Sequence, residues 1–367
     1  MQITAAVARE PGKPLTLESV ELDAPQAREV IVRMVAVGIC HSDIGARDGA
    51  LPFALPAVLG HEGAGIVEQV GSEVTTLQTG DKVVLTMPFC GSCHNCEQDE
   101  VSYCENGMEL MYAGARPDGS ATISQADGPV SAHFFGQSSF ANYALCHELN
   151  AIKMPSDTDL TLAAPLGCGV QTGAGAVLRS LKAKPGRSLA VFGAGTVGLS
   201  AVMAAKIAGC HPIIAVDPVA KRRELALELG ATAVIDPNEG NLVEAIKAVV
   251  PRGVDYAVDT SAVVSVLESI LEAVARHGEV VMLGVPHNPE AVLPLSVLGF
   301  LSSGVTLKAV IEGDTSPDTF IPELFELYKQ GKLPLDKLIS TYAFEDINTA
   351  IDEQLAGATV KPVVVFD

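Results

Sequence analysis

Residues 188 to 217 constrain this chain more than any other stretch. Ser188-Leu189-Ala190-Val191-Phe192 reads as a buried strand. It leads into Gly193-Ala194-Gly195-Thr196-Val197-Gly198, an alanine-rich helical segment to Gly209, and the strand Pro212 to Val216 ending at Asp217. A lone G-x-G-x-x-G is a weak signal. Between a strand and a helix, with an acid nineteen residues past Gly198, it becomes a dinucleotide-binding pattern. Gly193 makes the turn, Gly195 lets a pyrophosphate approach the backbone, and Gly198 lets helix and strand pack closely. The helix start at Thr196 and Val197 presents N–H groups and a positive dipole end to the phosphates. Asp217 accepts hydrogen bonds from ribose hydroxyls and repels a 2′-phosphate, which favours NAD over NADP. The bland alternative, a glycine-rich connector in another α/β unit, has to explain away the complete context.

The alternation continues past Asp217. Helices are predicted over 221–229, 242–250 and 264–275, with strands at 233–235, 256–258 and 279–283. Such alternation implies a parallel sheet covered on both faces. The N-terminal half reads differently. Val30 to Val37 is a β-branched run ending at Gly38, Val58 to Val67 is a second strand region broken by glycines, and Thr79 to Leu85 turns into a third. Short strands with frequent Gly and Pro suggest a barrel-like β domain. At 367 residues and 48% hydrophobic, the chain suffices for two domains of ordinary size. Three spans are expected: 1–169, 170–308 as the nucleotide-binding insertion, and 309–367, whose strand Lys361 to Phe366 returns to the first domain.

Eight cysteines, an even count, could suggest disulfides, but a chain this large does not need them. Cys90, Cys93, Cys96 and Cys104 fall within fifteen residues, inside a lobe spanning 88–106. Their spacing lets four sulfurs converge on one ion, which makes a closed structural zinc site. An iron–sulfur cluster also takes four thiolates, but the last gap does not match the ferredoxin pattern. Cys40, His61 and Cys168 stand in Gly38-Ile-Cys-His-Ser-Asp43, Gly60-His-Glu-Gly63 and Gly167-Cys-Gly169. Two thiolates and one imidazole are the three ligands of a catalytic zinc with its fourth position open. Taken singly, each is more readily a small buried thiol or a satisfied core histidine; the three together, beside a cysteine lobe and a nucleotide fold, reverse that. Cys146 and Cys210 have no partner motif, and His94 is expected in solvent.

A net charge of −20 opposes nucleic-acid binding, which rests on neutralising phosphates. No apolar run reaches membrane-spanning length, and Met1-Gln2-Ile3-Thr4 does not open a secretory signal. The expectation is a cytoplasmic protein with no membrane or nucleic-acid partner.

These pieces, G-I-C-H-S-D, G-H-E-G-A-G, the cysteine lobe, G-C-G-V-Q-T-G-A-G and G-A-G-T-V-G, together resemble the zinc-dependent medium-chain alcohol dehydrogenases from end to end. The segment Gly114 to Gly119 with Phe134 to Phe140 resembles the aryl-alcohol (benzyl alcohol) dehydrogenases and their geraniol-oxidising relatives. The resemblance implies a GroES-like β-rich catalytic domain with a Rossmann coenzyme domain, two zinc ions and NAD per subunit, and a homodimer or homotetramer. It implies that Ser42 takes the alcohol proton, that Asp43 orients His61, and that Glu62 approaches the metal during ligand exchange. It also places His41 and Lys361 near the pyrophosphate and Arg222 near the adenosine ribose. Two departures stand out. His41 replaces a frequent Arg, and Gly45 replaces the His that ends the proton relay in many members.

The implied reaction is reversible oxidation of a primary alcohol to an aldehyde. Leu51-Pro-Phe53, Met108 to Tyr112, Phe134-Phe135 and Leu295 to Leu301 carry few polar groups, which suits an aromatic or allylic alcohol such as benzyl or geranyl. For Phe134 and Phe135 the bland reading is core packing. A polyol or glutathione-adduct substrate needs polar pocket residues that are not evident. A non-catalytic NAD-binding protein on the same scaffold is the rival from another class.

Overall fold

The structure, a computed structural model, describes every residue except Asp127, His287 and Pro289. The chain divides into two units. One comprises Met1–Cys168, Ser316–Tyr328 and Leu335–Asp367; the other comprises Gly169–Thr315 and Lys329–Pro334.

The first unit holds two sheets. In the seven-stranded sheet, the central strand is Glu29–Gly38. Its run of Val, Ile and Met is buried on both faces, as expected of a strand with neighbours on either side. It pairs antiparallel with Glu62–Val70, Tyr143–His147 and the last strand of the chain, Lys361–Val365. The five-stranded sheet is built on Gln2–Ala8, Thr16–Leu22 and Ala57–Val58. Between them lies an apolar core with Phe134 and Phe140 fully buried. The helix Pro317–Lys329 also falls almost wholly within this unit.

The second unit is a six-stranded, wholly parallel sheet. From one edge its strands are Ala233–Ile235, Ile213–Val216, Leu189–Phe192, Val254–Asp259, Val274–Met282 and Thr306–Ala309. This is the doubly wound order, with the direction of progression reversing beside Leu189–Phe192. Leu-Ala-Val-Phe and Ile-Ile-Ala-Val are buried throughout because helices cover both faces.

Two boundaries differ from the sequence reading. The helix at 264 ends at Ala273, and the strand expected at 279 already begins at Val274. Gly278 permits this: a Cβ there would lie 2.3 Å from Val274 Cγ1, so only glycine carries the strand through its bend. The break expected after 308 falls inside Thr306–Ala309, which pairs with Glu279 to Met282 as the sheet's edge strand. Ladder hydrogen bonds keep that segment in the parallel sheet, and the unit runs on to Thr315.

Candidate active site

Sheet register brings the first two cysteine–histidine segments together. Gly38 stands opposite Glu62 in the pairing of Glu29–Gly38 with Glu62–Val70. Cys40 and His61 therefore leave the same end of the sheet. Cys40 caps the helix His41–Arg47, and Cys168 follows the short helical turn Ala164–Gly167. Gly60 has φ +92°, and a Cβ there would lie 2.5 Å from the Phe140 backbone nitrogen. Only glycine admits both the left-handed turn and that approach. Ligand atoms of Cys40, His61, Glu62 and Cys168 all lie within 4.8 Å of one another.

Asp43 organises this cluster. Its Oδ2 accepts the Cys40 N–H at 2.8 Å, and its Oδ1 accepts the Gly60 N–H at 3.1 Å and faces His61 Nδ1 at 2.7 Å. Burial opposes charge on His61, but the Asp43 carboxylate and the Cys40 thiol lift it well above the usual histidine range. With Nδ1–H kept on the carboxylate, Nε2 would supply its lone pair to a metal that displaces the other proton. That Nε2 is buried and has no hydrogen-bond partner. Hydrogen bonding to Cys168, with His61 and Lys361 nearby, holds the Cys40 thiol well below the usual range despite burial. An orphaned imidazole nitrogen facing two thiols, one biased to thiolate, is a donor set that fits zinc.

Glu62 and Lys361 depart from expectation. Lys361, expected near the pyrophosphate, is turned inward. It is 1% exposed, and its Nζ donates to Glu62 Oε1 at 2.9 Å, Glu62 Oε2 at 2.8 Å and the Ile39 carbonyl at 2.8 Å. Burial alone would drive the lysine toward neutrality; the Glu62 carboxylate reverses this and lifts it above the usual lysine range. The physical reason is the register of the last strand, which runs beside Glu29–Gly38 and turns Lys361 inward. Glu62 does stand among the ligand atoms, but as one half of a buried ion pair.

The aromatic patch is core that covers the ligand imidazole. Phe135 stacks on His61 with ring centroids 4.4 Å apart, and Phe134 meets the same imidazole edge-on at 5.7 Å. Tyr112 and Phe53 extend the group. Burial, then the Cys168 and Cys40 thiols, push the Tyr112 phenol up to about 12, so it holds its proton at neutral pH. Met108, by contrast, is exposed. The turn is held by left-handed residues: His133, Phe135, Gly136 and Ser138 all have positive φ. Non-glycine residues persist there only when their surroundings over-determine them. Gln137 does much of this, donating to the His61 and Thr86 carbonyls and accepting from the Gly63 N–H. Sequence reasoning missed Gln137; the available signal was an amide inside the dense F-F-G-Q-S-S-F run.

His133 gives the turn an acid sensitivity. Burial pushes it down to about 4, with Glu29 opposing and Arg116 and His147 reinforcing. The unfolded imidazole titrates near 6.5, so between those values the unfolded chain binds the extra proton. Stability is full above about pH 6.5 and falls toward pH 4. We expect wild type to lose about 2 kcal/mol through this residue between pH 7.5 and pH 4.5. His133→Asn, which tolerates the left-handed backbone, should not show that component in urea unfolding. Equal losses for the two proteins would contradict the assignment.

Ser42 Oγ lies 4.0 Å from Cys40 Sγ, beside the ligand cluster, and His41 is exposed at the same helix start. Gly45 provides no terminal base. In the cysteine lobe, Cys90, Cys93, Cys96 and Cys104 form a second ligand cluster. Burial raises Cys90, but the backbone N–H groups of Ser92 and Cys93 and the Asn106 side chain outweigh it and bring the thiol to about 5. Four thiols with inward backbone donors fit a closed zinc site, and His94 is exposed.

In the parallel unit, Asp217 closes the glycine loop. Its Oδ2 accepts the Ala194 N–H at 2.7 Å and its Oδ1 the Val219 N–H at 2.8 Å. Arg222 stands 3.9 Å from the same carboxylate, while Arg223 holds the Asp217 carbonyl. A Cβ on Gly198 would lie 1.8 Å from the Gly193 carbonyl oxygen, whereas one on Gly195 would meet nothing within 4 Å. The third glycine is thus required for packing and the second leaves open space, the cradle a pyrophosphate needs.

Comparison with known proteins agrees with both units. Residues 26–156 match the family model described as alcohol dehydrogenase GroES-like domain, and residues 196–330 match that of zinc-binding dehydrogenase. A geraniol dehydrogenase of Castellaniella defragrans is 46% identical over 99% of this chain and 97% of its own length. The crystal structure of benzyl alcohol dehydrogenase from Acinetobacter calcoaceticus superposes with a TM-score of 0.97 at 42% identity, covering 100% of both chains. An alcohol dehydrogenase zinc-binding domain protein from Burkholderia ambifaria gives 0.97 at 47% identity, covering 100% of this chain and 99% of that one.

Proposed function

Because the chain belongs to the zinc-binding alcohol dehydrogenase family, we propose that it oxidises primary alcohols bearing an aromatic or allylic group reversibly to aldehydes, with NAD as acceptor. The observation that carries the substrate class is the aromatic face on the ligand imidazole, Phe135 stacked on His61 with Phe134 at its edge. A π-system beside the carbinol carbon finds complementary rings there. Benzyl and geranyl alcohols share that chemistry.

Cys40, His61 and Cys168 would hold the catalytic zinc, and Cys90, Cys93, Cys96 and Cys104 the structural one. Bound in these places, zinc would supply the acidification of the substrate hydroxyl, and NAD the hydride acceptor. Asp43 keeps the His61 tautomer fixed. Ser42 receives the proton, which then leaves without a histidine at position 45. Phe134, Phe135 and Tyr112 exclude water. Gly193, Gly195, Thr196, Val197 and Gly198 would cradle the pyrophosphate, and Asp217 and Arg222 would face the adenosine ribose. Lys361 balances the Glu62 charge. Exposed Val292, Val297, Leu298 and Leu301 support a homo-oligomer. No helix among the described residues is long and apolar enough to cross a membrane, and two cysteine-bearing ligand clusters support a reducing compartment such as the cytoplasm.

The test is NAD reduction with benzyl alcohol, cinnamyl alcohol, geraniol, ethanol and sorbitol, with zinc measured on the same sample. Unsaturated alcohols should exceed ethanol in kcat/KM by roughly a hundredfold. Phe135→Ala should lose about tenfold on benzyl alcohol and little on ethanol. A preference for sorbitol would sink the substrate class. Zinc-loaded protein that reduces no NAD with any alcohol would favour a non-catalytic role.

A further inference from the structure

Gln137 stands where a rung of a sheet is missing. The strand Lys82–Leu85 pairs antiparallel with Glu62–Val70, matching Ile66 with Lys82, Gly65 with Val83 and Ala64 with Val84. Carried two residues further, the ladder would set Glu62 opposite Thr86. The Gln137 amide lies there instead. Its Nε2 donates to the His61 carbonyl at 3.0 Å on one strand end and to the Thr86 carbonyl at 3.3 Å on the other. Its Oε1 accepts the Gly63 N–H at 3.2 Å, and the Ser139 hydroxyl donates to the same oxygen. Both donors and both lone pairs of the amide are used, which leaves it a single orientation. Gln137 and His61 are each 1% exposed and Thr86 is fully buried, so water does not replace these bonds.

The two strand ends held in this way carry two of the ligand segments. His61 directly precedes Glu62–Val70. Cys168 hangs on the other end. Thr86 Oγ1 donates to the Gly167 carbonyl at 2.9 Å, and a Cβ on Gly167 would lie 2.0 Å from the Leu85 carbonyl oxygen. Asn150 braces that end, with its Nδ2 on the Thr86 carbonyl at 3.2 Å and its own carbonyl accepting the Thr86 N–H at 2.9 Å. Paired strands lie about 4.8 Å apart; an amide between them holds the ends wider. The same turn supplies Phe135, which stacks on the His61 ring, so one segment fixes both the main chain and the ring of that ligand.

We propose that Gln137 is a positioning residue for the metal: by spacing the ends of two strands it sets His61 against Cys168. The proposal rests on the reading of Cys40, His61 and Cys168 as zinc ligands. Asp43 orients the His61 imidazole, and Gln137 places the backbone that carries it. Supports one step behind the ligands govern how tightly a metal is held and in what geometry. Without the amide, the His61 and Thr86 carbonyls would each lose a buried donor, and the strand ends would shift to regain one.

Metal release reads this without turnover. Zinc-loaded protein mixed with a chromogenic chelator should give up two equivalents, the cysteine lobe serving as internal reference. Gln137→Met keeps the volume and removes the amide; one equivalent should leave about ten- to a hundredfold faster while the other is unchanged. In the cobalt-substituted protein, the ligand-field bands of that site should shift. Thr86→Val removes the hydroxyl on Gly167 and keeps the shape. It should speed the same equivalent about tenfold, and it carries the test if Gln137→Met does not fold. Ser138→Ala is the control: it strips the bonds to Val58 and Phe134 from the same turn without touching the ligand segment. Its Tm should fall and its zinc release should not change. Unchanged release and spectra in Gln137→Met and Thr86→Val, or equal acceleration in Ser138→Ala, would overturn the proposal alone. A His61→Ala protein that retains both zinc equivalents would overturn the ligand reading, and this proposal with it.

Discussion

His61→Ala is expected to abolish alcohol oxidation and to release one of two zinc equivalents. The side chain is 1% exposed, its Nδ1 is committed to Asp43, and its Nε2 has no partner besides the cluster it faces. Alanine removes one of three ligands and leaves Asp43 with a buried carboxylate oxygen short of a donor. Loss of the group that acidifies the alcohol should lower kcat by roughly 10⁴-fold or more. The cysteine lobe is a separate ligand cluster, so zinc content should fall from about two to about one per chain while the protein stays folded. Cys40→Ser should behave alike. Either variant turning over at the wild-type rate would refute the catalytic assignment, whatever its zinc content.

Lys361→Met is expected to destabilise the first unit by about 3–5 kcal/mol, because it strands a buried carboxylate without its counter-ion. Glu62 is fully buried and both its oxygens accept from Lys361 Nζ. Adding Glu62→Gln should recover most of the loss, since removing both charges costs less than removing one. Denaturant unfolding of the wild type, both single variants and the double variant measures the coupling. NAD affinity should change little when each protein is compared under conditions where it is folded. A lysine serving the pyrophosphate would give the reverse pattern, with weaker coenzyme binding and near-normal stability.

That lysine marks the limit of what the sequence conveys. The glycine loop, the cysteine lobe and Cys40, His61 and Cys168 were legible because each is a local pattern whose chemistry depends on spacing. The wholly parallel sheet followed from alternating strands and helices. What the sequence does not display is pairing between distant segments. Lys361 and Glu62 are 299 residues apart, and only the register of two strands against Glu29–Gly38 brings them together. The left-handed path of the turn at 133–138 was hidden for a related reason: its positive-φ residues include His133 and Phe135, types outside the usual turn formers. Phe134 and Phe135 were correctly expected in the core, but that they cover the ligand imidazole depends on this backbone. At Val274 the strand began early because tertiary pairing overrode local helical character.

The last strand carries a consequence for the chain as it is made. The parallel unit is nearly continuous, Gly169 to Thr315, and can assemble as it leaves the ribosome. The other cannot. Its central strand Glu29–Gly38 is translated long before its neighbour Lys361–Val365. Until then Glu62 is without its ammonium and one edge of a β-branched strand stands open, a template for pairing with other chains. A nascent chain therefore passes the interval between these two strands with its metal-binding half unfinished. Stalled or prematurely released products should be the aggregation-prone species, and a chaperone that shields that edge should raise the yield of zinc-loaded protein.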